Sequence, residues 1–184
     1  MKILFVCPYP TGTAASQRFR FEQYFPLLQA LGVAYATAPF LSHRAWQVLY
    51  RKGHTWAKIM AVLGGFLRRL GWLFYVGRYD LVFVHREATP LGYPFFEWAV
   101  RFLWRKPMVF DFDDAIWLPN TTDTNGWVAW LKFHKKTALI CRWAATVSAG
   151  NAYLADYARQ FNPNVVINPT TLDTEQWHNP AVWP

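Results

Sequence analysis

Short apolar runs recur along the chain, and most are separated by stretches with helical spacing. The runs span residues 3–7, 33–38, 80–84, 108–112, 144–147 and 165–167. Strands that are apolar along their length, rather than at every second residue, are typical of a parallel sheet covered on both faces. At 184 residues the chain fits one domain. The alternation therefore predicts a single, doubly wound α/β domain of Rossmann-like type with a mostly parallel sheet and helices on both faces.

The intervals between these runs carry helical patterns with recognisable end signals. The first predicted helix covers 16–31, with Ser16 as its N-cap, Pro26 as a kink and Gly32 as its C-terminal stop. A pair of helices is predicted within 43–78. Further helices are predicted over 90–104, 126–142 and 149–161, the last with Ser148 as its N-cap.

The fourth apolar run leads directly into three carboxylates, Asp111, Asp113 and Asp114, before a turn at 119–120. Ligands of an open parallel sheet bind beyond the carboxyl ends of its strands, which makes this cluster a candidate site. Such carboxylates can serve as a general base or electrostatic stabiliser, as ligands of Mg²⁺ or Mn²⁺, or as a nucleophile. The residue pattern leaves these chemistries open. We expect at least one of the acids to be structural, as a turn cap or the partner of an arginine.

Other polar residues fall at the same predicted edge of the sheet. A loop of small residues follows the first strand, and arginines lie in the first turns of the next helix. Backbone N–H groups and arginines at the start of a helix favour phosphate, although both arginines could instead solvate the helix surface. The predicted acceptor- or phosphate-binding residues are Gly12, Thr13, Arg18, Arg20, His85, Arg86 and Glu87.

Residues 43–78 combine basic and aromatic side chains and contain no acidic residue. This composition in a pair of helices is typical of a surface lying in the interface of an anionic membrane. The alternative is a pair of core helices with a basic outer side. The residues expected to face the membrane are Arg51, Lys52, Trp56, Arg68, Arg69 and Trp72. No uncharged apolar stretch of about 18 residues occurs, so no transmembrane span is predicted.

The net charge and the cysteines indicate which class of binding partner and which cellular compartment to expect. The formal net charge of +8 favours a partner that carries phosphates. Nucleic acid is not expected, because the sequence contains no zinc-finger, RNP-type or helix-turn-helix signature. Cys7 and Cys141 lie far apart in apolar surroundings, which is typical of buried thiols in a reducing compartment. We expect a cytoplasmic protein, peripheral on the inner face of the cell membrane if it binds lipid.

Three segments carry a resemblance to a known enzyme family. The first is MKILFV at 1–6 with SQRFRF at 16–21 and LQALG at 28–32. The second is YDLVFVH at 79–85 leading to PMVFDFDD at 107–114, and the third is TVS at 146–148 followed by VVINPTTLDTEQW at 165–177. In this order they resemble the N-terminal, Rossmann-like domain of family 4 glycosyltransferases, which are retaining enzymes of GT-B architecture. The glycine pair common after the first strand of that family is reduced here to Gly12.

The resemblance implies a division of labour between two domains. Residues 1–172 would form the acceptor-binding domain and 173–184 the start of the interdomain linker, while the C-terminal donor domain, which binds a UDP- or GDP-sugar, is absent from this chain. The implied reaction is sugar transfer to a free or lipid-linked glycan, with no metal or other cofactor in this domain, and the chain alone is expected to be inactive. Asp113 or Asp114 would orient or deprotonate the acceptor hydroxyl, and Asp111 would be structural.

Two other functions stay open at this point. The chain could be a stand-alone, non-catalytic α/β module that binds a membrane or phosphate. The segment DFDDAIWLPN at 111–120 also resembles the metal-binding motif of family 2, inverting glycosyltransferases. A metal-dependent enzyme of that GT-A type would bind Mn²⁺ at Asp111 and Asp113.

Overall fold

A single parallel sheet organises the described part of the molecule. The computed structural model describes residues 1–49, 51, 53–118, 133 and 135–172. The strands are β1 (Lys2–Cys7), β2 (Ala34–Pro39), β3 (Leu81–His85), β4 (Met108–Phe112), β5 (Thr146–Ala149) and β6 (Val165–Ile167). They pair in the order β2-β1-β3-β4-β5-β6, and every pairing is parallel. The predicted doubly wound, Rossmann-like α/β fold is confirmed.

Helices connect the strands. They are α1 (Ala15–Arg20), α2 (Phe25–Ala30), α3 (His43–Leu49), α4 (Thr55–Leu73), α5 (Phe95–Trp98), α6 (Lys136–Trp143) and α7 (Ala152–Arg159). A π-helical turn, Ala99–Leu103, continues α5, and short 3₁₀ turns occur at Glu22–Tyr24 and Val76–Arg78. The predicted helical pair within 43–78 is present as α3 and α4.

The first predicted helix is divided into α1 and α2. Pro26 lies in the first turn of α2, where a proline starts a helix without losing a hydrogen bond, so it does not kink a continuous one. Ser16 lies inside α1 and is not its N-cap, because the helix begins at Ala15 and residue Ala14 caps it without a side-chain bond. Gly32 ends α2 with φ of +68°, as predicted.

Two other helix starts differ from the sequence-based expectation. The cap of α7 is Asn151, whose Oδ1 accepts a hydrogen bond of 2.9 Å from the backbone N–H of Leu154, and Ser148 instead lies within β5. Helix α5 begins only after Pro94, later than residue 90. Of the helix predicted over 126–142, α6 is the described part. The predicted turn at 119–120 and the predicted linker at 173–184 lie outside the described residues.

The direction of the chain crossings explains which helices cover which face. Crossovers between parallel strands are right-handed, and only the step from β1 to β2 runs toward one edge, whereas all later steps run toward the other. Accordingly Ile3, Phe5 and Cys7 of β1 pack with Phe21, Phe25 and Leu28 from the α1–α2 region. Leu4 and Val6 face the opposite core, to which α4 to α7 contribute.

The strand order places a crevice at one point of the sheet. The order reverses between β1 and β3, so the helix after β1 and the helices after β3 lie on opposite faces there. The carboxyl ends of the strands at such a switch point form the usual ligand-binding crevice of a doubly wound fold. In this chain the crevice is bordered by residues 8–16 after β1 and by the ends of β3 and β4.

Candidate functional site

A row of polar side chains crosses the sheet beside the switch point. His85, Asp111 and Ser148 are register neighbours on β3, β4 and β5. His85 Nδ1 lies 2.8 Å from Asp111 Oδ2, and Ser148 Oγ donates to Asp111 Oδ1 at 2.7 Å. Arg20, the last residue of α1, donates to both oxygens of Asp111. The strands therefore align the row, and α1 covers it with a cation.

Asp111 is the centre of this row and is fully buried. Burial raises its pKa, but the hydrogen bonds and positive charges of His85 and Arg20 outweigh burial, so the pKa of Asp111 lies below its ordinary value. Both carboxylate oxygens have protein partners. Asp111 is therefore a structural anion that pairs with an arginine, as expected, and it offers no free oxygen for the Mn²⁺ of the GT-A alternative.

Arg20 was expected to face a ligand phosphate, and this prediction is wrong. Its guanidinium is buried and donates to Asp111 and to the backbone oxygen of Asn168. Arg20 lies on the side of α1 that faces the sheet. Its side chain therefore contacts the buried Asp111 and not the solvent. Arg18 is exposed, with its guanidinium 5.3 Å from the ring centre of Phe19.

Ser16 connects the buried row to the crevice. Its hydroxyl donates to Asp113 Oδ2 at 2.5 Å and lies 3.0 Å from His85 Nε2. Asp113 is half-buried, and its other oxygen, Oδ1, is buried without a hydrogen-bond partner among the described residues. A buried carboxylate oxygen without a partner is costly unless a ligand or water completes it. Asp113 therefore has one oxygen fixed by Ser16 and one buried oxygen that no described residue satisfies.

Gly150 fixes the backbone of Asp113 from the other side. A Cβ at position 150 would lie 3.0 Å from the Cα of Asp113 and 3.5 Å from the backbone oxygen of Phe112. The N–H of Gly150 also donates to that oxygen of Phe112 at 2.9 Å. A side chain at position 150 would therefore require the backbone at Asp113 to shift by a few tenths of an ångström.

The residues that follow Asp113 and His85 point away from this row. Asp114 is exposed and pairs with Arg86 at 2.9 Å, and Arg86 adopts a left-handed backbone with φ of +63°. Glu87 accepts from Lys136 Nζ at 2.5 Å. Of the two predicted catalytic acids, Asp113 is the one that the structure links to the buried row.

In the loop after β1, the hydrogen-bond donors of Gly12 and Thr13 are bonded to nearby groups of the protein. The N–H of Gly12 donates to Glu22 Oε2 at 2.9 Å, and Thr13 donates through its N–H and its hydroxyl to the backbone oxygen of Pro10. Gln17 Nε2 also donates to Glu22, at 3.1 Å. The loop was expected to present amides to a phosphate. Instead it holds a carboxylate, whose negative charge disfavours a second anion.

Arg69 was expected to face a membrane, and this prediction is wrong. The side chain is buried, with Nε 2.6 Å from the backbone oxygen of Ala88 and Nη2 2.7 Å from that of Cys7. A third bond reaches the backbone oxygen of Ala38. Burial lowers the pKa of Arg69 to about 10. Its guanidinium therefore supplies donors for backbone oxygens at the ends of β1 and β2 and in the loop after β3.

The other predicted membrane-facing residues differ in their exposure. Trp56 and Arg51 are exposed, and Arg68 is half-buried. Trp72 packs against the core, so its predicted orientation is wrong. Each helical residue turns about 100°, and 16 positions therefore place Trp56 and Trp72 on opposite sides of α4. Lys52 lies outside the described residues.

Sequence reasoning missed the contacts made by Ser16, Ser148, Gly150 and Asn168. The two serines were interpreted as helix caps, which is their commonest role before a helix. The position of Ser148 at the end of an apolar strand was the available signal, since it matches those of His85 and Asp111. No local pattern indicates that a glycine or a loop carbonyl will approach residues far away in sequence.

Comparisons with known proteins add no assignment to this geometry. The sequence matches no protein-family model, and the search of curated proteins finds no significant match. Among the described residues, no cluster of three or more His, Cys, Asp or Glu side chains is placed to hold a metal ion. None of the helices in the described ranges is both long and apolar enough to cross a membrane.

Proposed function

We propose that this chain is the acceptor-binding domain of a GT-B-type, retaining glycosyltransferase. In this enzyme Asp113 orients or deprotonates the hydroxyl group of the acceptor. The observation that carries the proposal is the state of the two Asp113 oxygens. Oδ2 is fixed by Ser16, whereas the buried Oδ1 has no partner among the described residues, at the carboxyl edge where ligands of this fold bind. The order of the resembling segments supports a sugar transferase rather than another enzyme of the same fold.

The hydrogen-bond chain behind Asp113 suits a group that accepts a proton. Bonds from Asp113 to Ser16, from Ser16 to His85 and from His85 to Asp111 need three hydrogen atoms. The serine hydroxyl supplies one and a neutral imidazole supplies one. With these two hydrogens, one of the three contacts has none. A proton that Asp113 takes from an acceptor hydroxyl supplies the third, so the chain of bonds to the buried Asp111–Arg20 pair is complete after the transfer.

The donor is proposed to be a UDP- or GDP-sugar, bound by a second domain facing this edge. The acceptor is proposed to be a free or lipid-linked glycan whose hydroxyl bonds to Asp113. Arg18 and Arg86 are half-buried or exposed cations near the edge and could contact phosphates of either substrate. The buried Arg20 contributes instead by keeping Asp111 charged and in place.

The test is sugar transfer by the complete protein from radiolabelled UDP- and GDP-sugars to a panel of glycans. Asp113→Asn is expected to lower kcat by about 10²-fold or more, the usual contribution of a positioned acid or base. Asp114→Asn is the matched control, because its carboxylate is exposed and pairs only with Arg86 in the described contacts. Unchanged turnover of Asp113→Asn, or equal losses in both variants, would remove Asp113 from this role. Absence of transfer by the wild type would favour a non-catalytic module.

A second candidate function is favoured by one specific observation. Ser16, His85 and Asp111 follow the order of a nucleophile–base–acid triad, with 3.0 Å from Oγ to Nε2 and 2.8 Å from Nδ1 to Oδ2. Against it, the serine hydrogen is directed at Asp113 and Asp111 is already paired with Arg20. A fluorophosphonate probe distinguishes the two: covalent labelling that disappears in Ser16→Ala would replace the transferase proposal by a serine hydrolase.

A further inference from the structure

Helix α4 exposes a long row of large apolar side chains. These residues, called the outer face of α4 below, are Trp56, Ile59, Met60, Leu63, Leu67, Leu70 and Phe74, the last immediately after the helix. Trp56 and Phe74 at the two ends are 80% and 79% exposed, and Leu67 between them is 69% exposed. Scattered apolar residues are normal on a protein surface, but a contiguous row of this size marks an interaction site.

The outer face is one narrow stripe with no charged residue in it. At 100° per residue, its members fall within an arc of about 100°. The opposite side of α4 carries the buried Gly65 and Arg69 and the core-facing Trp72. The core therefore covers the side of α4 opposite the stripe, which includes the charged Arg69, and leaves the stripe itself exposed. From Trp56 to Phe74 the stripe is about 27 Å long at 1.5 Å per residue.

The charged residues of the segment that contains the stripe are all of one sign. Residues 43–78 contain Arg44, Arg51, Lys52, Lys58, Arg68, Arg69 and Arg78 and no acid. Arg51 and Arg78 are exposed and lie beyond the two ends of α4. Exposed cations at the two ends of an apolar stripe complement a surface with negative headgroups above hydrocarbon. Trp56 at one end also suits the headgroup level, where tryptophan concentrates.

We propose that the outer face of α4 binds an anionic lipid bilayer, with the helix lying in the plane of the membrane interface. The apolar stripe enters the boundary between headgroups and acyl chains, and the flanking arginines contact lipid phosphates. Lipid is fluid, so it can surround the narrow, uncharged outer face of α4 without having a matching shape. The proposal keeps Trp56 and Arg51 from the residues expected from sequence, whereas Arg69 and Trp72 point inward. It is independent of sugar transfer, since it requires neither donor nor acceptor.

The test is co-sedimentation of the chain with vesicles at low salt. One vesicle preparation contains phosphatidylcholine alone and the other phosphatidylcholine with phosphatidylglycerol. The wild type is expected to sediment with the anionic vesicles, less with the neutral ones, and less as salt increases. Leu63→Gln combined with Leu67→Gln is expected to lower the partition coefficient by about tenfold or more, since two apolar side chains no longer enter the lipid.

The chain offers a matched control of the same chemistry. Leu27 and Leu31, at α2, are 56% and 67% exposed, against 50% and 69% for Leu63 and Leu67. The double variant Leu27→Gln, Leu31→Gln is expected to bind vesicles within about twofold of wild type. Circular dichroism and thermal melting establish that both double variants fold.

Three results would overturn the proposal. The first is a wild type that stays in solution with anionic vesicles at low salt. The second is an equal loss of binding in both double variants. The third is a wild-type dimer, measured by sedimentation equilibrium, that the variant at 63 and 67 converts to a monomer without any vesicle binding, because a second copy would then be the occupant. Sugar transfer to a soluble glycan is measured separately, so failure of one proposal leaves the other testable.

Discussion

The Oγ of Ser16 lies 2.5 Å from Oδ2 of Asp113, although 97 positions separate the two residues in sequence. This contact joins the start of α1 to the end of β4 across the switch point of the sheet. The same Oγ lies 3.0 Å from His85 Nε2. One hydroxyl therefore couples a half-buried carboxylate in the crevice to the fully buried row formed by His85 and Asp111.

Removal of that hydroxyl is expected to reduce transfer without unfolding the protein. Ser16→Ala leaves Asp113 Oδ2 and His85 Nε2 without their shared partner, and kcat should fall by about tenfold or more while KM changes less. Ser16→Thr keeps a hydroxyl at the same position and should recover part of the loss. Steady-state kinetics of the complete protein check this. Equal kcat values for the alanine variant and the wild type would show that Ser16 has only a structural role.

Asp111 is expected to make stability depend on acid pH. Its folded pKa is lower than its unfolded value of about 3.9, so its stabilising contribution is complete above that value and is lost as the pH falls through the folded pKa. Asp111→Asn leaves the buried Arg20 unpaired and should cost about 3–5 kcal/mol in free energy of unfolding at neutral pH. The difference from wild type should shrink below about pH 4.

Urea unfolding at several pH values measures this difference. Asp156→Asn is the control, because Asp156 forms an exposed pair with Arg159 that is worth less than about 1 kcal/mol. A difference between wild type and Asp111→Asn that stays constant down to pH 2 would contradict the assignment of the buried ion pair.

Adjacent glycines in α4 should respond in opposite directions to the same substitution. A Cβ at Gly64 meets nothing within 4 Å, so Gly64→Ala should stabilise the helix by up to about 1 kcal/mol. A Cβ at Gly65 would lie 2.5 Å from the ring of the buried Phe40, so Gly65→Ala should destabilise by about 1–3 kcal/mol. Thermal melting of both variants checks the orientation of α4. Shifts of the same sign would mean that α4 is rotated from the orientation described.

Both cysteines should be inert in the folded protein. Burial raises the pKa of Cys7 and of Cys141 to about 12, and both thiols are buried. Because the thiolate is the reactive form, a disulfide reagent at pH 8 should label neither residue within minutes, and both should react fully in denaturant. If labelling occurs, the single variants Cys7→Ala and Cys141→Ala show which cysteine has reacted. Fast labelling of either cysteine in the native state would contradict the packing around β1 or α6.

The sequence by itself determined the sheet. Apolar runs identified each strand, most clearly β1 and β4 in the interior of the sheet, whose residues are buried on both faces. The same periodicity placed Asp111, His85 and the following acids at the carboxyl edge, and Gly32 marked the end of α2 through its backbone freedom. Where reasoning failed locally, as with Ser16 and Ser148, a residue suited to capping a helix was used for a tertiary hydrogen bond.

The tertiary structure alone decided which polar residues meet and which sides of the helices are covered. The local sequence does not distinguish Arg18 from Arg20. Only Arg20, however, faces Asp111, which is 91 positions away in sequence. Asp113 and Asp114 are adjacent, yet only Asp113 meets Ser16. Helix α4 is apolar around most of its circumference, so its periodicity could not indicate which side faces the core. These outcomes depend on the packing of distant elements, because a side chain is fixed by the neighbours that the fold brings within a few ångströms.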